Sequence, residues 1–100
     1  MAISKSTRDF IDSLIDYYIS EAQSYKQIAE EYVPEIESVL DTAFGFIAGS
    51  VYSGFLQAYK SMQRTPSLED IQEFNKILKD RAPLIKKAMM EDSHHTIFSR

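Results

Sequence analysis

A chain of 100 residues with 44% hydrophobic and 26% charged side chains is one globular domain rather than a disordered segment. It contains no cysteine, which excludes disulfides, thiolate-bound zinc, iron–sulfur centres and a thiol nucleophile. The net charge of −4 conceals an asymmetry: residues 1–59 carry three basic and nine acidic side chains, residues 60–87 seven basic and four acidic.

The first residues, Met-Ala-Ile-Ser-Lys-Ser-Thr-Arg-Asp, have no apolar core of a secretory signal, so the expected location is cytoplasmic. Strand signals are weak, with no Asn-Gly or Asp-Gly hairpin and no sustained alternation. Helical periodicity dominates. A first helix is predicted from Ser6, with Asp9 three residues on as its capping partner. Ile11, Tyr18, Tyr25 and Tyr32 recur every seven residues, flanked by Leu14, Ile28, Ile15, Ala22 and Ala29. This predicts one continuous apolar stripe of about seven turns. Asp9, Asp12, Asp16, Glu21 and Glu30 take the other side and keep it polar.

Pro34 cannot donate to a helical ladder, so it ends the first helix and suits the first position of the next. The second helix is predicted over about 34–62. From Thr42 to Tyr59 it is uncharged for eighteen residues, and it holds all three glycines, Gly45, Gly49 and Gly54. Interior glycines cost about 1 kcal/mol each against Ala, which calls for a packing reason. Gly45, Gly49 and Ser53 form one row of small residues, and Ser50, Gly54 and Ala58 another. Either row lets a neighbouring helix approach closely. The stretch is near the minimum length of a membrane span, but three glycines, serines and a glutamine dilute it, and a buried helix is the favoured reading.

Gln63-Arg64-Thr65-Pro66 marks a break. Ser67 with Asp70 reads as a capping box, and Leu68, Ile71, Phe74 and Leu78 follow at helical spacing over about 67–80. Pro83 then kinks this helix or starts a fourth from Asp80, with Ala82, Ile85 and Met89 keeping the register. The predicted domain spans 1–91, and 92–100 is a mobile tail.

Four groups carry candidate chemistry, and each has a plainer reading. His94-His95 are adjacent, which suits one metal ion poorly. Asp9, Asp12 and Asp16 share a face but lack the Glu-x-x-His of a di-metal bundle, so a solvated face is favoured. The tyrosine row could stack bases, yet aromatics at this spacing read as core. Lys76, Lys79, Arg81, Lys86 and Lys87 form the one basic cluster; Lys76, Lys79, Lys86 and Lys87 are the candidate phosphate contacts, diluted by Asp70, Glu73 and Asp80. No nucleophile has a base beside it in any local motif. The expectation is therefore a non-enzyme with no cofactor and no metal.

The predicted fold is all-α: a small antiparallel bundle of three long helices, the last kinked at Pro83. The predicted function is a protein–protein interaction or assembly module that self-associates as a homodimer, with an unidentified protein partner besides. Its predicted seam is Gly45, Phe46, Gly49, Ser50, Ser53, Gly54 and Gln57, because the first and third helices have polar outer faces and the second does not. The alternative is a small nucleic-acid-binding subunit using residues 76–87. The size and all-helical pattern are similar to several small-bundle families, including bacteriocin immunity proteins. That resemblance implies a third class, an immunity-like protein at a membrane surface.

Overall fold

The computed structural model describes residues 3–91, and these form four α-helices with no strand among them: α1 (Lys5–Ser20), α2 (Ala22–Glu30), α3 (Val39–Ser61) and α4 (Leu68–Met90). His94-His95 and the rest of the predicted tail lie outside the described residues.

The first helix starts earlier than its predicted cap. Ser4, not Ser6, sits at the N-cap, and its Oγ accepts from the Thr7 amide at 3.2 Å. Asp9 pairs instead with Lys5, one turn back. The predicted continuous rod is two helices, α1 and α2, parted at Glu21 with φ −105° and ψ 11°. Ser20 Oγ donates to the Tyr17 carbonyl at 2.6 Å. A serine bonding back to its own helix in this way competes with the backbone ladder and bends it. The core row of the two helices is Ile11, Ile15, Ala22 and Ala29, all buried.

Residues 31–38 form an irregular connection, and α3 begins five residues after Pro34. Ser38 is its N-cap and accepts from the Asp41 amide at 3.0 Å. Side-chain capping outweighs the preference of proline for a first helical position. Ala43, Ile47, Val51, Phe55 and Tyr59, four apart, give α3 its buried row. At its end Gln63 takes φ 58°. The Arg64 amide donates to the Tyr59 carbonyl at 3.0 Å and the Gln63 amide to that of Lys60 at 2.8 Å. These two bonds make a Schellman cap, with glutamine where glycine is usual.

The capping box at α4 is complete. Ser67 Oγ accepts from the Asp70 amide at 3.1 Å, and Asp70 Oδ2 accepts from the Ser67 amide at 2.8 Å. No fourth helix starts at Asp80: α4 runs through Pro83 to Met90, with Phe74, Ile77, Leu78, Ile85 and Met89 buried. The far end is held by another helix. Gln23 Nε2 on α2 reaches the carbonyls of Ala88, Met89 and Glu91 at 3.0, 3.2 and 2.8 Å, satisfying acceptors that have no partner within α4.

Candidate interaction surface

α3 is the helix the others pack around. Phe55 stacks on Phe74 of α4 with ring centres 4.6 Å apart, and Tyr52 and Tyr59 flank the pair. Gly54 meets α1: a Cβ there would overlap the Leu14 Cδ1 methyl. Tyr32, after α2, packs edge-on to Phe46 at 6.2 Å. Lys86 of α4 bonds Asp41 at 2.8 Å and lies over the Phe44 ring.

These contacts separate the predicted seam residues. Gly54 belongs to the packing inside the chain, where its missing side chain makes room for Leu14 of α1. Phe46 and Ser50 are half-buried at the edge, with Ser50 Oγ bonded to the Phe46 carbonyl. Gly45, Gly49, Ser53 and Gln57 share one exposed row, bounded by Asp41 and Ser61. Around Gly45 and Gly49 nothing in the chain comes within 4 Å of a Cβ position, so no neighbour within the chain approaches closely there. Of the most apolar eighteen-residue window of α3 only 22% is buried, although the helix is long and apolar enough to cross a membrane.

The first helix is less polar outside than its sequence pattern predicts. Phe10, Tyr17 and Ile28 are 43%, 56% and 46% exposed, and Tyr32 is 50% exposed. Tyr18 and Tyr25 are half-buried and meet edge-to-face at 5.6 Å. The heptad of tyrosines thus borders the core, because the break at Glu21 and the row of Ile and Ala set the buried side. Burial first, and then the neighbouring Tyr18 hydroxyl, raises the Tyr25 pKa above its ordinary value. Exposed apolar groups on α1 and α2 stand among exposed polar ones, namely Asp9, Ser13, Asp16, Ser20, Ser24 and Gln27, whereas the exposed row of α3 has no charge from Gly45 to Gln57.

The charged candidates are largely paired. Arg81 on α4 bonds Asp16 and lies 3.7 Å from Asp12, which neutralises much of the aspartate face. Arg8 meets Glu73 at 3.4 Å, and Lys76 meets Asp80 at 3.4 Å. These residues line an open depression of about 320 Å³ with Ile77. Of the four candidate phosphate contacts, Lys76 and Lys86 are engaged, while Lys79 and Lys87 have no acidic partner among the described residues. No group of three or more metal-ligating side chains occurs among the described residues.

Comparison of the chain with protein-family models, with curated proteins and with solved structures finds no match.

Proposed function

We propose that this protein is a non-catalytic assembly module that pairs with itself through the outer face of α3. The observation that carries this reading is the exposed, uncharged row Gly45–Gly49–Ser53–Gln57 on a helix whose apolar window is 22% buried. The row is made of small and neutral side chains, with Leu56 beside it 38% exposed. A twofold axis covers it by laying one copy on the other, the small residues letting the two helices come close. Phe46 and Tyr32 edge the face and supply aromatic anchors of the kind found at interfaces.

The body that presents this face is a bundle of three antiparallel arms: α1 with α2, then α3, then α4. Four contacts support this. Phe55 of α3 meets Phe74 while Asp41 meets Lys86, so α3 and α4 oppose one another. Leu14 of α1 faces Gly54, and Tyr32 beyond α2 faces Phe46, so the first arm opposes α3.

Light scattering after size exclusion tests the reading. The expected mass is twice the 11.5 kDa of the chain at tens of micromolar protein. Phe46→Glu, half-buried at the edge of the face, should return the protein to monomer with its helical circular dichroism kept. A wild-type mass of one chain would overturn the proposal.

A further inference from the structure

The two ends of the α3 face carry opposite charge. Before α3 lie Glu30, Glu31, Glu35 and Glu37, all exposed and with no cationic partner among the described residues. After the face lie Lys60, exposed and likewise unpaired, and Arg64, exposed and stacked on Tyr59 with 5.4 Å to the ring centre. Between them runs the uncharged row from Gly45 to Gln57, about 18 Å at 1.5 Å per residue.

From this charge pattern we infer that two copies pair with α3 antiparallel to α3, the acidic connection 30–37 of each lying on Lys60 and Arg64 of the other. The inference rests on the assembly reading above and adds its orientation and register. Two physical terms select the orientation, and a third the extent of the overlap. A parallel pairing would set four glutamates against four glutamates and lysine against lysine, and like-charge juxtaposition is costly at an interface. Antiparallel pairing opposes the two helix dipoles as well. The third term is area. A strip 18 Å long and one helix wide falls short of the roughly 1,000 Å² that a specific interface needs, and only an overlay that includes both ends extends it. The twofold axis then passes between Gly49 and Ser53, so that Gly45 faces Gln57 and Asp41 faces Ser61. The small side chains of that row let the axes come close.

The absence of cysteine makes the register testable. Gly45→Cys and Gln57→Cys sit where side chains meet nothing within the chain or are already exposed, so both variants should fold. Mixed together and treated with a short bis-maleimide, they should cross-link to each other at least tenfold more than either does alone. In parallel, Lys60→Glu should raise the dimer dissociation constant about tenfold, and Glu35→Lys with Glu37→Lys in the same chain should restore it, as light scattering over a dilution series reads. A dimer in which each cysteine variant links to itself would overturn the orientation and leave the assembly reading standing. A monomer would overturn both. Capture of the wild-type chain by neutral phosphatidylcholine vesicles, with loss of the dimer, would identify the face as a lipid-facing one and also overturn both.

Discussion

Gly54 of α3 and Leu14 of α1 occupy one space between them: the Leu14 methyl stands where a Cβ of residue 54 would be. Gly49, five residues earlier on the same helix, has nothing within 4 Å of its Cβ position. The two glycines should therefore respond oppositely to substitution. Gly54→Val displaces the Leu14 methyl, which ends a flexible, half-buried side chain. The cost should therefore fall at the lower end of the range for overpacking, about 1–3 kcal/mol. Gly49→Ala adds a methyl to open space on a helix and should gain up to about 1 kcal/mol. Urea unfolding at low protein concentration, where monomer dominates, measures both; a Gly54→Val variant as stable as the wild type would remove the close contact.

That pair also shows where the sequence stops being legible. Helices and most boundaries follow from local chemistry, and the Ser67–Asp70 box was readable from spacing alone. Ser38 and Asp41 have the same spacing, but the first-position preference of Pro34 drew the predicted start five residues early. The two small-residue rows of α3 are equivalent as patterns. Only Leu14, forty residues away, decides that one packs inside and the other faces out. Likewise nothing local announces that Arg81 answers Asp12 and Asp16, or that Gln23 closes α4, because those partners are set by the assembled bundle. The break at Glu21 has no signal in the pattern: Ser20 bonds the Tyr17 carbonyl there, yet Ser50 bonds that of Phe46 without breaking α3.

Helix ends offer a second test. Ser67→Ala and Ser38→Ala each remove an acceptor for an amide with no partner in its helix and should cost about 1 kcal/mol. Gln63 holds a left-handed conformation at which a side chain is strained. Gln63→Gly should therefore stabilise by about 1 kcal/mol, provided the Schellman bonds are kept. Thermal melts of the three variants read these changes, and a destabilised Gln63→Gly would show that the side chain itself matters.

The pH dependence follows from Asp70 and Asp41 on the acid side and from Tyr59, with Tyr25 also raised, on the alkaline side. Asp70 is held below its ordinary pKa, first by the Ser67 amide and further by the Tyr59 hydroxyl. Asp41 is lowered by Lys86. A carboxyl whose pKa is lower folded than unfolded stabilises above the unfolded value of about 4, and that contribution is lost as pH falls through the folded value. Tyr59 is raised, by burial and then by Asp70, so its contribution holds below about 10 and is lost as pH rises through the higher folded value. Urea midpoints should be flat between these limits and fall on both sides. Asp70→Asn should flatten the acid limb; an unchanged limb would assign acid sensitivity to other carboxylates.

The lysines of α4 set the last expectation, on the nucleic-acid alternative. Counterion release makes the logarithm of affinity fall with the logarithm of salt at about 0.9 per phosphate neutralised. Lys86 is committed to Asp41 and the Phe44 ring, and Lys76 to Asp80, which leaves Lys79 and Lys87 as the free charges of the candidate set. Duplex DNA should therefore bind weakly, with a slope near −2 and about a tenfold loss between 50 and 200 mM salt. Glutamates 69 and 73 and Asp80 on the same helix oppose even that. Fluorescence anisotropy with a labelled duplex across a salt series gives the slope, and Lys79→Gln with Lys87→Gln should abolish it. A slope of −4 or steeper would mean that Lys76 and Lys86 leave their carboxylates to meet phosphate, and would move the nucleic-acid reading ahead of self-assembly.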